Sequence, residues 1–429
     1  MMSREMRHSG IEWIGEIPKE WRVELIGNNI KEIKDKNEDS SENNALQFKM
    51  GTIISKKGGD SKYNPESLAA YTMVQEGDIV INGLNLSFDF ISQRVGLVRE
   101  KGVITSTYLT LRPSSLLYSD FVNYLFKAYD NCKAFHGMGR GLRQILSYRE
   151  LRNQKLIYPS LAEQQKIANY LDEVCGEVDE MIALQEQMIE ELKAYKQSVI
   201  TEAVTKGLNP NVHMKDSGID WFGEVPEHWE IVKLSLLTSK IGSGSTPTGG
   251  ANVYVSEGVK FLRSQNVYFE GLDLSDVAHI TEKIDEEMKG TRVLPGDVLL
   301  NITGGSIGRC YYVDETLGRA NVNQHVSIIR PNNINTKYLK YSLQSSLGQL
   351  QVSLLQTGGN REGLSAAALS NFKVLLPSTE EQQSIASYLD TKCAEIDALI
   401  AIKQAKIEEL KEYKKSVIYE YVTGKKEVV

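Results

Sequence analysis

Two stretches of the chain place apolar residues at three- and four-residue steps or their sums. In the first, Ile167, Leu171, Val174, Val178, Met181, Leu184, Met188, Leu192, Tyr195 and Val199 follow that spacing, the period of one helix face. In the second, Ile385, Leu389, Ile396, Leu399, Ile402, Leu410, Tyr413 and Val417 repeat it. Each opens just after a proline on Ser-x-x-Glu, Ser160 with Glu163 and Ser378 with Glu381, a capping-box pattern that satisfies the free amides of a helix start. Gly207 and Pro210 close the first run, and Gly424 closes the second. Helices of roughly 45 residues rise about 68 Å, more than a compact domain requires. Such a stripe needs a partner. An antiparallel pair about a pseudo-twofold axis is expected, with separate packing of each helix on its own domain as the other possibility.

Ahead of each helix the pattern changes to short apolar, β-branched runs bounded by Gly, Asn and Pro, among them Gly258–Leu262 and His325–Ile329, which read as strands. One helix is expected in each region, at Asp120–Phe135 and at Thr336–Leu350. The fold class is therefore mixed α/β (α+β). Two globular domains are separated by two long helices in an antiparallel coiled coil. The expected division is residues 1–158, first domain; 159–207, first spacer helix; 208–376, second domain; and 377–425, second spacer helix.

The halves are copies of one plan. Ser9-Gly10-Ile11-Glu12-Trp13-Ile14-Gly15-Glu16-Ile17-Pro18 recurs as Ser217-Gly218-Ile219-Asp220-Trp221-Phe222-Gly223-Glu224-Val225-Pro226, and Trp21 recurs as Trp229, 208 positions later. Pro159-Ser160-Leu161-Ala162-Glu163-Gln164-Gln165 returns as Pro377-Ser378-Thr379-Glu380-Glu381-Gln382-Gln383 at an offset of 218. Gly77-Asp78 matches Gly296-Asp297, and Arg112-Pro113 matches Arg330-Pro331. Most of the length change between the halves thus falls between Ile26 and Gly77. Matching ends with differing interiors fit one scaffold carrying two ligand specificities, and equally fit drift in loops. All four tryptophans belong to the repeated head motif, which points to a structural role.

Charge narrows the reading once it is divided by region. The chain carries −7, but residues 160–206 hold 10 acidic against 4 basic groups and residues 378–423 hold 9 against 6, a net −9. The remainder is then +2, which leaves the domains free to present basic surfaces to nucleic acid. No apolar run reaches the roughly 18 residues that span a bilayer, and residues 1–10 lack a signal core, so a cytoplasmic protein is expected. Cys132, Cys175, Cys310 and Cys393 have no metal-ligand spacing, nor do the six histidines, so reduced structural thiols and no metal site are expected.

No catalytic constellation is present in the sequence. There is no phosphate-binding Gly-x-x-x-x-Gly-Lys loop, and Gly137-Met138-Gly139-Arg140-Gly141 has the wrong spacing for a dinucleotide site. Polar, glycine-flanked loops remain, and their residue types are those that read DNA: Arg to guanine, Asn and Gln to adenine. The candidate DNA-binding residues are Arg140, Arg143 and Gln144 in the first half, with Lys56 and Lys57 as phosphate contacts. In the second half they are Asn360 and Arg361, Thr246 in the small-residue loop Gly242–Gly250, and Arg263, Gln265 and Asn266 at a strand end.

Together these features resemble the specificity subunit of a type I restriction-modification system. The resemblance rests on the head motif with its downstream Trp, and on the Pro-Ser-x-x-Glu-Gln-Gln-x-Ile-Ala-x-Tyr-Leu-Asp entry to each helix, ending in Ile167–Asp172 and Ile385–Asp390. It covers essentially the whole chain. It implies two target-recognition domains that each read one half of a split double-stranded DNA site, with the helices setting the gap. It implies no catalysis or cofactor in this chain. The expected partners are two modification subunits that use S-adenosylmethionine, and restriction subunits that use ATP and magnesium. The alternative is a coiled-coil assembly scaffold without DNA readout.

Overall fold

The computed structural model describes residues 4–56, 68–139, 144–356 and 363–428. The chain divides into two compact units, one of residues 1–186 with 405–429 and the other of residues 187–404. Both long helices form, over Leu161–Lys206 and Thr379–Val422, and each unit holds a part of both. In the first unit Tyr170 meets Tyr421 with ring centroids 4.5 Å apart, and Lys414 Nζ donates to Asp179 at 2.6 Å. Position rises along one helix as it falls along the other, so the pair is antiparallel. In the second unit Lys196 Nζ donates to Asp397 at 2.8 Å. Asp179–Lys414 and Asp397–Lys196 are the same pair, repeated 218 positions on.

The seam differs in detail from the sequence stripe. Ile189, Val199, Ile407, Leu410 and Val417 are buried, but Met181, Leu184, Met188, Tyr195, Leu399, Ile402 and Tyr413 are exposed. The heptad seam runs instead through Val178, Ile182, Gln185, Ile189, Leu192, Lys196 and Val199, with Gln185 and Lys196 in positions usually apolar. A glutamine and an aspartate-paired lysine in the seam make the adjacent exposed hydrophobics look like the seam.

The repeated motifs exist because they bind one another. Trp21 and Trp229 are each 1% exposed, and each indole N–H donates to the glutamate that opens a long helix, Glu163 at 3.3 Å and Glu381 at 3.4 Å. Each ring also meets the end of the other long helix. A Cβ on Gly424 would lie 3.1 Å from Trp21, and one on Gly207 would lie 3.2 Å from Trp229. Both glycines adopt the left-handed conformation that ends a helix, φ 70° and 76°. The capping box is complete at the second helix, where Ser378 N donates to Glu381 at 3.3 Å and Glu381 N donates to Ser378 Oγ at 3.2 Å. At the first helix Glu163 N donates to Ser160 Oγ at 3.3 Å, while the Glu163 carboxylate accepts from Arg4 and Trp21.

The buried Gln164 and Gln382 complete each joint, accepting from Tyr118 N and Asn335 N, both at 2.8 Å. Asp78 and Asp297 are likewise buried, and each takes a bidentate arginine from the neighbouring strand, Arg112 at 2.7 Å and Arg330 at 2.7 and 2.8 Å. Such fork-to-fork pairs fix strand register as well as charge.

Each unit centres on a four-stranded antiparallel sheet. In the first the order is Ile30–Glu32, Leu109–Pro113, Ile79–Ile81, Val95–Leu97; in the second it is Thr238–Ser243, Val326–Pro331, Val298–Asn301, Cys310–Tyr312. The helix expected at Asp120–Phe135 runs Ser119–Asn131 and stops before Lys133, whose φ of 58° leads into a separate 3₁₀ turn, Ala134–Gly137. The helix expected at Thr336–Leu350 is two, Thr336–Gln344 and Ser346–Leu354. Ser345 is extended, and its hydroxyl accepts from Gly348 N at 3.1 Å, starting the second helix. Three of the four cysteines, Cys175, Cys310 and Cys393, are buried, and burial pushes the Cys310 thiol up to about 12. Among the described residues no helix is long and apolar enough to cross a membrane, and no cluster of His, Cys, Asp or Glu could hold a metal ion.

Candidate nucleic-acid interface

In the second unit, three loops emerge from one end of the sheet. Thr238–Ser243 and Val298–Asn301 finish there, while Cys310–Tyr312 and Val326–Pro331 begin there. The loop after Ser243 is held down at Gly244, where a Cβ would lie 2.0 Å from the Val322 carbonyl, so only glycine fits. The close backbone approach that the small residues of this loop permit is therefore made to the chain itself. Thr246 stays exposed at its crest, and its hydroxyl donates to Gln324 Oε1. Gln324 Nε2 donates to His325 Nε2 at 2.9 Å, and His325 Nδ1 lies 2.6 Å from Thr303 Oγ1. Because Gln324 donates, His325 must carry its proton on Nδ1 and donate to Thr303. The chain of bonds thus runs one way, Thr246 to Gln324 to His325 to Thr303, and leaves the Thr303 hydroxyl hydrogen as an outward donor.

Two further elements reach the same end. Leu364 N donates to Ile302 O at 2.9 Å and Thr303 bridges to Gly363, so the loop that carries Asn360 and Arg361 returns to the chain here. Those two residues lie outside the described residues. The loop between strands Val259–Leu262 and Ala278–Ile280 is pinned to the sheet by Asn301 Nδ2, which donates to Ser264 O at 2.8 Å. Arg309 stacks over Tyr268 of that loop with 4.9 Å between guanidinium and ring centroid.

The three candidates in this loop separate by burial. Asn266 is 1% exposed, with Oδ1 accepting from Arg263 N at 2.9 Å and Nδ2 donating to Asp273 O at 2.9 Å. It shapes the turn and has no group left for a base. Arg263 is committed to Asp276, donating to its carbonyl at 2.6 Å and its carboxylate at 3.3 Å. Gln265 is exposed and donates to the same carboxylate at 2.7 Å, a contact a base edge can replace. Two other arginines, Arg292 and Arg319, serve the buried Asp285. Burial raises that carboxyl, but hydrogen bonds from Arg292, Asn321 and Arg319 outweigh it and leave the group below its ordinary range.

The first unit has the same sheet end and different loops on it. The turn Met50–Gly51 arrives there, since a Cβ on Gly51 would lie 2.6 Å from Gln93. Gln144 is there too: its carbonyl accepts from Leu86 N at 3.3 Å, and Leu146 N donates to Gly83 O at 2.9 Å. Arg140 and Arg143, the residues before it, lie outside the described residues, as does Lys57. Lys56 follows Ser55 at the open end of the hairpin Leu46–Lys49/Thr52–Ser55, bonding through its N–H to Ala45 O at 2.8 Å. It is therefore remote from the turn and not gathered with Gln144.

Sequence reasoning missed Thr303, Gln324 and His325, and the exposed tip Phe88, Phe90 and Ile91 in the first unit. His325 opens the predicted strand His325–Ile329 and immediately precedes the observed one, Val326–Pro331, and its place as a polar residue at a strand start is the signal for it.

Comparison with known proteins places this architecture. The family model described as the type I restriction modification DNA specificity domain matches residues 91–194 and 226–412, well over half of the chain. The MjaVIII specificity subunit of a type I restriction enzyme from Methanocaldococcus jannaschii is 27% identical, covering 95% of this chain and 93% of that protein. The EcoBI specificity subunit from Escherichia coli is 29% identical over 59% of this chain and 54% of its own length. A chain from a solved structure of a type I R-M system superposes with a TM-score of 0.67 at 15% identity, covering 95% of this chain and 99% of that one.

Proposed function

The chain belongs to the type I restriction modification DNA specificity domain family, and we propose that it is the sequence-reading subunit of a type I restriction-modification complex. Residues 1–158 and 208–376 are assigned as the two readers, and 159–207 and 377–425 as the spacer that fixes the gap in a bipartite double-stranded target. One observation carries this reading. The repeated pairs Trp21/Trp229, Glu163/Glu381, Gln164/Gln382 and Asp78/Asp297 are all engaged in building the frame, while described loops that differ gather at one sheet end of each unit.

Catalysis is assigned to partners. Methyl transfer from S-adenosylmethionine belongs to two modification subunits, and ATP- and magnesium-dependent restriction to further subunits. The exposed apolar pairs Met181/Leu184 and Leu399/Ile402 occupy equivalent positions on the two helices, which suits two identical partners.

Methylome sequencing of cells carrying this chain with its modification partner tests the proposal. A two-part methylated motif is expected, and replacing residues 30–155 with those of another member should change one half only. Change in both halves, or none, would overturn the two-reader assignment. Affinity should also fall steeply with salt; a flat response favours the scaffold alternative.

A further inference from the structure

The hairpin joining Ile79–Ile81 to Val95–Leu97 carries an apolar tip: Phe88 is 78% exposed, Phe90 54% and Ile91 91%. A loop that only connects two strands has no reason to hold three large apolar groups in water.

The tip is held rigidly from below. Arg94 is 1% exposed, and its guanidinium donates to three carbonyls of the hairpin, Asn82 at 3.0 Å, Leu84 at 2.8 Å and Asp89 at 2.6 Å. Its backbone N–H donates to Asp130 at 2.7 Å. The Asp89 carboxylate turns back on the chain, accepting from Ile91 N at 3.1 Å and Ser92 N at 2.9 Å. The Ser92 bonds, with the Ile91 amide and Arg94, outweigh burial and hold that carboxyl at about 2, so it stays an anion tied to its own loop. His136 contacts the Asp89 carbonyl at 3.1 Å and stacks on Phe90 at 4.7 Å between centroids. Phe90 is thus fixed at the flank, and Phe88 and Ile91 project.

We infer that Phe88 and Ile91 form an apolar wedge that enters the base stack of the half-site read by the first domain. The inference rests on the function proposed above. Wedges that part base steps are large apolar side chains such as Phe and Ile, and they need a preorganised support because unstacking is costly. A buried guanidinium engaged with loop carbonyls supplies that support. The location favours DNA over protein: the tip shares its sheet end with Gln144 and the Met50–Gly51 turn, where the second unit places Thr246, Gln324 and Thr303. The corresponding hairpin of the second unit, between Leu300 and Cys310, has Gly304, Gly305 and Ser306 in place of an apolar tip.

The test uses the complete complex with its modification subunits and a duplex carrying the methylome-defined target. 2-Aminopurine is placed in turn along the first half-site, outside the methylated position. Binding of the wild type should raise fluorescence at one step. The Phe88→Ser, Ile91→Ser double variant should lose that rise and bind about tenfold more weakly or worse. Its melting temperature should be unchanged, because both side chains are exposed. Gln324→Ala in the second unit should weaken binding and keep the rise. Absence of a rise in the wild type, or a double variant that keeps both rise and affinity, overturns the wedge. So does a double variant that binds DNA normally but no longer assembles with the modification subunits. A wild-type complex that binds target and unrelated duplex alike would overturn the sequence-reading function itself.

Discussion

The two units are built on one frame and have grown in different places. In the first, Ile81 and Val95 pair across an intervening segment of residues 82–94, whereas Leu300 and Cys310 of the second enclose only 301–309. In the second, the strands Val259–Leu262 and Ala278–Ile280 are joined by residues 263–277, where the first unit has the tight turn Met50–Gly51 between Lys49 and Thr52. Both extensions lie at the loop-bearing sheet end. The first ends in exposed aromatic and aliphatic groups, whereas the second carries the polar Arg263, Gln265 and Asn266. Divergence gathered at one end, over a frame whose repeated polar residues bond one another, is what separates reading from holding.

The largest effects should come from the frame and should be equal in the two units. Trp21→Ala and Trp229→Ala each remove a 1% exposed indole at the joint of two helix ends. Each is expected to cost about 3–5 kcal/mol in denaturant unfolding of the full chain. If one cost less than a quarter of the other, the claim that both head motifs do the same work would fail.

A difference within the shared frame comes next. Lys340 is 4% exposed, with its ammonium 3.4 Å from the Tyr341 ring centroid and 3.9 Å from Asp390. Burial lowers it to about 8, against the pull of Asp390. Below that pH both folded and unfolded chains carry the proton, and the fold bears the full cost of the buried charge. Between about 8 and 10 the unfolded chain binds more protons, so stability should rise with pH, by at most about 3 kcal/mol. Lys340→Met should be more stable than wild type at pH 7, and the rise should disappear from its melting curves. A wild type whose stability is flat or falls over that interval would count against this account of Lys340.

How much of this is legible in the sequence depends on what the residues bind. The helices, the strands near Val259 and Val326 and the duplication were readable because periodicity and repetition are properties of the string. That Trp21 meets Glu163, or Asp78 meets Arg112, was not, since two motifs can recur together without showing that they touch. The seam was misplaced by one position because Lys196 and Lys414 occupy it through long-range pairing with aspartates, which hydropathy cannot register. Asn266 has the chemistry of a base reader, but that chemistry is turned inward. The tip at Phe88 is not legible in the sequence because exposure is decided by a loop's support, here Arg94, and not by its composition.

Smaller effects test the reading edges. Thr303→Val keeps shape and removes the outward hydroxyl, while Gln324→Ala cuts the bond chain that orients it. Each should weaken binding of the target by roughly tenfold and relax preference in the second half-site alone, the scale of one lost base contact. Relaxed preference in the first half-site would place these residues in the wrong reader.

The smallest effect is expected at Lys56, and it asks whether the sheet end or simple positive charge defines the interface. Lys56 lies at the open end of its hairpin, where Ser55 Oγ donates to Asn44 at 2.7 Å and Asn44 donates to Lys101 O at 2.8 Å, away from the turn that approaches Gln93. A lysine that contacts phosphate contributes about one unit to the slope of log affinity against log salt, whatever the sequence bound. Lys56→Ala should therefore leave that slope unchanged and affinity within about twofold. A slope reduced by one unit would show that the DNA path extends along the hairpin to its open end, and the interface would then have to be drawn along the length of the sheet instead of across its end.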